Sequence, residues 1–463
     1  MIPLEENLLQ NRWWENCSGI MRFFPKKQGI NLRDIINKID IVKEWGFDAI
    51  EIFAPYYGGV EYSGLDVINY YCVDPAIGNM ADFLELVAQC HENGMTIIAF
   101  INLGYCAMEC PVFLKACDDM RKGIDSLEAH RFLWSDTGKE KLDKSLVPYF
   151  MNDVDGHWCY SERAGKYYWV KWKGIDGNVE LPQFNFGDNV WQDECKRVVD
   201  FWAGTGIDGM IIDAVNWYIN CNWQINNESI TDIIHEYPNQ YIQPEGAGGF
   251  KDDPVQWISM GRYNSVQDYG ISIWWTDHDV IGGAIESGNP SHIENALKTY
   301  HDRVVEAGGV TYIGPNWARK ASYEQRLLEC AVISTIGELF HDGGKIFDLK
   351  WPEQYKAELK EIIRTLQKYP ALQAPGSREK LNTNNDDKYY AFIRTSIDKE
   401  QKILVVLNFQ KECEDIVVKL KRPMEFIDIF SGRHMSSGNS FYITLPGYGY
   451  GIYLYKRQND FNK

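Results

Sequence analysis

The fold of this chain is decided by FWAGTGIDGMIIDAV, which occupies residues 201–215. An amphipathic helix over 192–203 leads into this stretch, and Gly204 and Gly206 end that helix. The apolar run GMIIDAV has the length and composition of a buried parallel strand. One acid, Asp213, stands near its end. The pattern predicts a helix–turn–strand unit with a carboxylate at its carboxyl end.

The same unit recurs on both sides of this stretch. Helices over 31–45 and 80–93 end at Gly46 and Gly94, and each precedes a short apolar strand. Alternation over roughly 350 residues with about eight strands predicts an α/β fold, a (β/α)8 TIM barrel. A doubly wound open sheet is the alternative, but no Gly-x-Gly-x-x-Gly loop follows the first strand. The predicted strands cover 48–55, 96–103, 209–215, 241–245, 263–268, 310–314 and 336–340.

Two segments depart from this alternation. Between strand 3 and strand 4, HWCY and KYYWVKW belong to a segment that is too long for an ordinary connection, which indicates an inserted subdomain. After Pro375, period-two runs such as YYAFIRT and KILVVLNF indicate a small antiparallel β domain. The predicted domains are a barrel over 1–105 and 186–374, an inserted subdomain over 106–185, and a C-terminal β-sandwich over 375–463.

Composition narrows the class of protein. With 45% hydrophobic residues, the 463-residue chain can bury a large core, and its net charge of −18 disfavours nucleic acid and anionic membranes. The 11 cysteines are scattered without a Cys-x-x-Cys pair, so neither a disulfide framework nor a common zinc module is indicated. No signal peptide or membrane span is apparent, which predicts a cytoplasmic protein. The sequence does not indicate an oligomeric state.

Two acids stand where barrel active sites are built. Asp213 ends strand 4, and Glu245 ends strand 5 after Gln243 and Pro244. Neighbouring strands lie ~4.8 Å apart, which is compatible with the ~5 Å separation between the carboxylates of a retaining glycosidase. We predict that the two acids are catalytic; the alternative is that each caps a loop. The aromatic content of 14%, with 16 tryptophans, weakly favours a carbohydrate substrate.

Longer blocks carry a family resemblance. GFDAIEIFAP, YSGLDVINYYCVDPAIGNM, FWAGTGIDGMIIDAV and YIQPEG resemble the α-amylase family of glycoside hydrolases, family 13, and the resemblance extends over nearly the whole chain. It implies that Asp213 is the nucleophile and that Glu245 is the acid/base. It also implies a carbohydrate substrate and no organic cofactor.

This chain departs from the family at several positions. Ile211 replaces the arginine two residues before the nucleophile, and Tyr105 stands where a histidine is usual. Leu65 replaces the tyrosine of a Gly-Tyr-Asp block. Because Gln183 replaces an acid near the insertion, we do not predict calcium or any other metal. These changes predict a more apolar −1 subsite with non-standard sugar specificity.

The position of the third family carboxylate is also changed. TYIGPNWAR places Asn316 there, with Arg319 in register with the following family arginine. His301-Asp302 is a tempting alternative, but it falls in a helical stretch and is expected to be a solvated face. Gln243 is also predicted to bind substrate. Other predicted substrate-binding residues are Asp268, with a solvated-loop alternative, and Trp217, Trp274 and Trp317, each with a packing alternative.

The loss of the family arginine has a physical consequence. A buried nucleophile without a cationic neighbour should have a raised pKa, so Asp213 needs another hydrogen-bond donor. The leading hypothesis is a retaining glycoside hydrolase or transglycosylase. The alternatives are a non-catalytic carbohydrate-binding or scaffold barrel and a sugar isomerase that uses the same covalent intermediate.

Overall fold

The computed structural model describes residues 12–142, 156–215, 223–237, 239–246, 253–273 and 276–456 of the 463-residue chain. Contacts between residues group the chain into two compact units. The first consists mainly of Arg22–Asp40 and Ala49–Val266. The second consists of Trp13–Met21, Ile41–Asp48 and Gln267–Lys463.

Strands and helices alternate through most of the described chain, and antiparallel strands follow. The strands are β1 Gly19–Phe23, β2 Ala49–Phe53, β3 Tyr56–Gly58, β4 Val67–Val73, β5 Thr96–Ile101, β6 Trp134–Ser135, β7 His157–Ser161, β8 Lys166–Lys173, β9 Glu180–Pro182, β10 Gly209–Ile212, β11 Tyr241–Pro244, β12 Ser265–Gln267, β13 Val310–Ile313, β14 Leu339–Asp342, β15 Ser377–Leu381, β16 Tyr389–Thr395, β17 Lys402–Asn408, β18 Glu414–Lys419, β19 Met424–Asp428, β20 His434–Ser437, β21 Ser440–Leu445 and β22 Tyr450–Lys456. The helices are α1 Pro25–Gln28, α2 Leu32–Ile36, α3 Ile39–Glu44, α4 Met80–Glu92, α5 Pro111–Lys122, α6 Leu127–His130, α7 Asn189–Ala203, α8 Trp223–Glu236, α9 Pro254–Ser259, α10 Val280–Ser287, α11 Ile293–Thr299, α12 His301–Glu306, α13 Tyr323–Ile336 and α14 Glu353–Lys368.

The main sheet is the parallel sheet of a (β/α)8 barrel. Its eight strands follow the order β11-β10-β5-β2-β1-β14-β13-β12. Local sequence explains the units that build it. Asn79 and Asp82 form a reciprocal capping box at the start of α4, and after Gly94 the chain enters β5, five of whose six residues are buried. The fold class that the sequence predicted is therefore confirmed.

The inserted segment follows the third barrel strand and forms its own antiparallel sheet. In that sheet β8 pairs with β7 on one side, and with β6 and β9 on the other. The C-terminal region contains a six-stranded sheet, β15-β16-β17-β22-β19-β20, and the two-stranded sheet β18-β21. Side chains from both sheets, including Leu404, Val418 and Phe441, share one hydrophobic core.

Three details differ from the sequence predictions. β1 was not predicted at all, although it is a full member of the barrel sheet. The strand expected at 336–340 lies at Leu339–Asp342, because α13 continues to Ile336 and Gly337 ends it with φ 105°. The helix expected over 31–45 is divided into α2 and α3. Within the described residues, no helix is long and apolar enough to cross a membrane.

Candidate active site

Asp213 and Glu245 lie at the carboxyl ends of two neighbouring barrel strands. The register of β10 and β11 pairs Ile212 with Pro244, so the two acids are the next residues on the two strands. The Glu245 N–H donates to the Ile212 carbonyl at 2.8 Å, and the Val215 N–H donates to the Glu245 carbonyl at 3.2 Å. These bonds hold both acids at one level of the sheet edge, where barrels of this class build their active sites.

The Glu245 carboxylate contacts the backbone beside Asp213. The Ala214 N–H donates a 3.1 Å hydrogen bond to Glu245 Oε2. Ala214 has φ 42°, in the left-handed region that alanine rarely adopts, so the chain turns sharply directly after Asp213. The Asp213 side chain is buried and Glu245 is partly exposed. One acid is therefore withdrawn from solvent and its neighbour remains accessible.

Burial raises the pKa of both acids. The pKa of Asp213 lies well above its usual range because the carboxylate is desolvated and faces the charge of Glu245. Hydrogen bonding from Tyr105 and the charge of Arg22 oppose that rise. Desolvation also raises the pKa of Glu245, against the Ala214 N–H and Arg22. Two such neighbouring acids favour a state in which the pair holds one proton.

β1 brings a cation into the barrel interior. Arg22 Nε lies 2.6 Å from Glu51 Oε1, and the guanidinium carbon of Arg22 lies 5.0 Å from the centroid of the Phe100 ring. Phe100 stands opposite Ile211 in the register of β5 and β10, and Asp213 follows Ile211 by two residues on the same strand face. The positive charge of Arg22 lowers the pKa of Asp213 and of Glu245, which is the role expected of a cation near the pair.

Sequence reasoning missed Arg22 because it missed β1. The run GIMRF at 19–23 is short, and it precedes the first helix that was used to recognise the alternating pattern. A signal was nevertheless present, since a charged residue within an apolar strand requires a partner. Glu51, inside the apolar run DAIEIFAP, is the complementary charge and is completely buried.

Tyr105 supplies a hydroxyl where the family resemblance led us to expect a histidine. Its side chain is buried, and its hydroxyl acts to lower the pKa of Asp213. The Asn102 side-chain amide donates to the Tyr105 carbonyl at 2.8 Å and to the Leu65 carbonyl at 2.7 Å. Asn102 therefore ties together the backbones of two predicted substrate-binding positions, Leu65 and Tyr105.

Ile211 and Gln243 are two further residues that were predicted to bind substrate. Both are completely buried. The Tyr241 hydroxyl donates to Gln243 Oε1 at 2.5 Å, and the Ser265 hydroxyl donates to the same oxygen at 3.3 Å. These contacts place Gln243 in the barrel interior. The expectation that Ile211 and Gln243 bind substrate stays a prediction.

An aromatic cluster accompanies the acids. The Tyr62 ring lies 5.6 Å from the Trp172 ring and 6.2 Å from the Tyr105 ring, and Trp172 lies 6.0 Å from Tyr105. Burial raises the pKa of Tyr62, and the charges of Asp213 and Glu245 contribute to that rise. Tyr62 and Trp172 are partly exposed. Such rings can stack on sugar faces, and the sequence did not single out either residue.

A family model described as "Alpha amylase, catalytic domain" matches residues 24–265, which is just over half of the chain. The chain belongs to the α-amylase family. A second model, "Maltogenic Amylase, C-terminal domain", matches residues 378–452 of this α-amylase family member.

The curated relatives of this α-amylase family member are distant. The trehalose synthase/amylase TreS of Mycobacterium tuberculosis is 26% identical over 40% of this chain and 29% of its own length. The trehalose-6-phosphate hydrolase of Escherichia coli is 27% identical over 44% of this chain and 36% of its own length. The oligo-1,6-glucosidase of Bacillus cereus is 24% identical over 45% of this chain and 36% of its own length. The chain thus spans only about a third of these relatives.

Solved structures share the fold over nearly the whole chain. Eubacterium rectale Amy13B superposes with a TM-score of 0.75 at 15% identity, covering 98% of this chain and 99% of its own. The trehalulose synthase MutB of Pseudomonas mesoacidophila superposes with a TM-score of 0.71 at 15% identity, covering 96% and 99%. These likenesses establish the fold of this α-amylase family member.

Asn316 and Trp317 follow β13 in the second unit. The Asn316 N–H donates to Glu329 Oε1 at 2.9 Å, and its side-chain amide donates to Asp279 Oδ2 at 3.4 Å. Trp317 Nε1 donates to Asp342 Oδ2 at 2.8 Å. Both side chains remain partly exposed. The placement of Asn316 at the third family carboxylate stays a prediction from the resemblance; in the structure its side-chain amide is hydrogen-bonded to an acid.

Asp268 and His301 are buried, contrary to two expectations. Asp268 does not lie in a solvated loop, because it is 0% exposed. His301 does not lie on a solvated helix face, because it is 2% exposed. His301 Nδ1 lies 3.0 Å from Glu338 Oε1 and 2.6 Å from Thr311 Oγ1. Burial lowers the pKa of His301 to about 4 and raises that of Glu338 to about 7. Polar atoms of Asp268, His301 and Glu338 lie within 4.8 Å of one another, so Asp268 belongs to an internal polar network of the second unit.

Two predicted aromatic positions, Trp217 and Trp274, lie outside the described residues. Gln183, whose identity led us not to predict calcium, is buried in the insertion. Among the described residues, two groups of potential metal ligands converge within 4.8 Å, and neither includes Asp213 or Glu245.

Proposed function

We propose that this protein is a retaining glycoside hydrolase or transglycosylase in which Asp213 is the nucleophile and Glu245 is the acid/base. The observation that carries the proposal is the hydrogen bond from Ala214 N–H to Glu245 Oε2, which joins the Glu245 carboxylate to the backbone directly after Asp213. Carboxylates separated by about one strand spacing suit a covalent glycosyl-enzyme mechanism.

The proposed reaction requires Glu245 to hold the proton while Asp213 is ionised. When Glu245 is protonated it no longer repels Asp213, and Arg22 and Tyr105 then stabilise the Asp213 anion. Asp213 attacks the anomeric carbon while Glu245 gives its proton to the leaving oxygen. Glu245 then removes a proton from water or from an acceptor hydroxyl, which displaces Asp213 and completes the reaction.

Arg22 has a positioning role in this proposal. Ile211 occupies the place where the family resemblance led us to expect a cation, and Arg22 supplies positive charge from β1 instead. The Arg22–Glu51 pair holds the guanidinium in the interior. The cation that supports the nucleophile therefore comes from a different strand.

The substrate class is a small glycoside or oligosaccharide. The Tyr62–Tyr105–Trp172 cluster supports sugar stacking beside the acids. Relatives named as trehalose synthases, a trehalose-6-phosphate hydrolase and an oligo-1,6-glucosidase support glycosides of two or a few sugars. Leu65 and Ile211 favour a −1 sugar that differs from the family standard.

Replacement of Asp213 tests the assignment. We expect Asp213→Asn to lower kcat at least about 10⁴-fold on whichever activated aryl glycoside the wild type cleaves, because no covalent intermediate can form. Asp193→Asn, which alters an exposed acid on α7, should retain full activity. A wild type that is inactive on every sugar tested but binds carbohydrate would favour the scaffold alternative.

Isomerisation is the second candidate. Trehalulose synthase and isomaltulose synthase are among the structural neighbours, and an isomerase uses the same intermediate. Product analysis on a disaccharide distinguishes the two reactions. Free monosaccharides indicate hydrolysis, whereas a linkage isomer of the substrate indicates that the glycosyl group was returned to its own leaving group.

A further inference from the structure

The inserted subdomain contains three potential metal ligands that are unrelated to the two catalytic acids. His157 and Cys159 are two residues apart on β7, so their side chains point to the same face of the sheet. Glu180 begins β9. β8 lies between these strands, pairing with β7 and with β9. The sheet therefore brings together residues that lie 21 positions apart in sequence.

The donor atoms of these three side chains converge. His157 Nε2 lies 2.5 Å from Glu180 Oε1, and Cys159 Sγ lies 2.5 Å from Glu180 Oε2. All three ligand atoms lie within 4.8 Å of one another. In a tetrahedral zinc site with bonds of about 2.0–2.3 Å, ligand atoms are separated by roughly 3.3–3.7 Å. Small side-chain adjustments would accommodate an ion at the centre of the group.

The chemistry of the three ligands identifies the class of ion. Ca²⁺ and Mg²⁺ take oxygen ligands, whereas a thiolate with an imidazole and one carboxylate suits Zn²⁺. Cys159 is buried, while His157 and Glu180 are partly exposed. Three protein ligands with one side open to solvent leave room for water in the fourth position of a tetrahedral ion.

We propose that His157, Cys159 and Glu180 form a Zn²⁺ site that joins β7 to β9 across β8. The ion would cross-link two strands that do not pair with each other, and so would stabilise the inserted sheet. The common zinc spacings are absent from the sequence, which is why sequence analysis did not predict this site.

Zinc binding at this site would release a proton from Cys159 and displace the side chain of Lys173. Burial and the adjacent Glu180 raise the pKa of the Cys159 thiol to about 12, so the thiol is protonated when no ion is bound. Zinc must displace that proton, and its affinity must increase with pH. Lys173 Nζ lies 3.4 Å from Glu180 Oε1 and is half exposed, so it can move into solvent when the ion arrives.

The test uses the whole 463-residue chain, which is first treated with a chelator and then freed of the chelator. Zn²⁺ is titrated by calorimetry, and Co²⁺ is used as a spectroscopic substitute. The expected result is one equivalent of zinc, and a cobalt complex with the thiolate charge-transfer band that only a cysteine ligand produces. Cys159→Ser should abolish that band. It should also weaken zinc binding more than about 100-fold, because removing a ligand costs more than removing a residue that only contacts a ligand.

Matched variants make the test decisive. Cys413→Ser removes an exposed cysteine of the C-terminal domain and should bind both metals like the wild type. His157→Gln should keep the thiolate band but weaken zinc binding. The proposal is overturned if the wild type binds no zinc, or if Cys159→Ser retains the cobalt band. Aryl glycoside cleavage by Asp213 is measured separately, so failure of this site leaves the proposed function untouched.

Discussion

At the scale of single residues, the balance of charge around Asp213 controls the site. Burial and Glu245 raise the pKa of Asp213, and Tyr105 and Arg22 act against them. In the proposed mechanism, a cation that comes from β1 therefore favours the ionised form of Asp213. The Arg22 charge is held by Glu51, so the two residues form one functional pair within the barrel interior.

Replacing Arg22 should move the acidic limb of the pH–activity profile. In Arg22→Met, Asp213 loses a favourable charge, so its pKa rises and the acidic limb shifts upward by about one pH unit, equivalent to ~1.4 kcal/mol. The measurement is kcat/KM from pH 4 to 9 on an activated aryl glycoside. Lys27→Met removes an exposed charge near the same strand and should leave the limb in place.

A second variant separates electrostatics from folding. Arg22→Met alone leaves Glu51 buried without its cation, which can cost about 3–5 kcal/mol of stability. Arg22→Met/Glu51→Gln removes both charges and should fold, yet retain the shifted limb. An unshifted limb in this double variant would contradict the positioning role.

Replacing Glu245 should move the acidic limb in the opposite direction. Glu245→Gln removes the charge that raises the pKa of Asp213, so Asp213 should ionise at lower pH than in the wild type. The measurement needs a leaving group that requires no protonation, such as dinitrophenolate, so that Asp213 still forms the glycosyl-enzyme. A limb that moves to higher pH would show that Asp213 and Glu245 are not coupled as the geometry indicates.

At the scale of elements, the network of Asp268, His301 and Glu338 brings together the end of β12, the start of α12 and the residue before β14. The pKa of Glu338 is raised from 4.5 to about 7, so its stabilising contribution is complete below pH 4.5 and is lost as pH rises through 7. The pKa of His301 is lowered from 6.5 to about 4, so its contribution is complete above pH 6.5 and is lost as pH falls through 4. The two contributions oppose each other in the acidic range.

Replacing Glu338 should therefore expose the His301 contribution. Between pH 5 and pH 8, the free energy of unfolding of Glu338→Gln should increase relative to the wild type by roughly 1–3 kcal/mol, because the variant loses the group that is destabilising when ionised. Urea unfolding at the two pH values measures this difference. Glu353→Gln, at an exposed position on α14, should show no such change.

At the scale of the whole molecule, one buried arginine links the C-terminal β domain to a barrel helix. Arg394 on β16 donates to the carbonyls of Ile336 at 3.1 Å, Ala371 at 3.1 Å and Gln373 at 2.6 Å. Ile336 ends α13, so the guanidinium satisfies a helix-terminal carbonyl. Its complete burial means that no solvent can substitute for it.

Loss of this arginine should destabilise the protein strongly. Arg394→Met leaves three carbonyls without their donor, and the free energy of unfolding should fall by about 3–5 kcal/mol. Urea unfolding followed by tryptophan fluorescence and circular dichroism gives the value. The exposed Arg433→Met provides the control, and equal stability of the two variants would exclude the linking role of Arg394.

Much of this molecule is predictable from sequence. Apolar periodicity and glycine caps are local properties, so they identified α4, β5, β10 and β11 and placed Asp213 and Glu245 at neighbouring strand ends. The family resemblance was carried by the same blocks. Local sequence was sufficient to predict these elements, because each of them buries a stripe or run of apolar residues that is visible in its own sequence.

Other features were decided only by tertiary structure. Arg22 meets Glu51, and His157 and Cys159 meet Glu180, because strand pairing brings distant residues together without any regular spacing in the chain. The burial of a residue likewise depends on which distant parts of the chain pack against it. The sequence therefore could not show that Asp268 and His301 are buried. The sequence alone determined the barrel and its two acids; the folded structure determined the charges and donors that surround them.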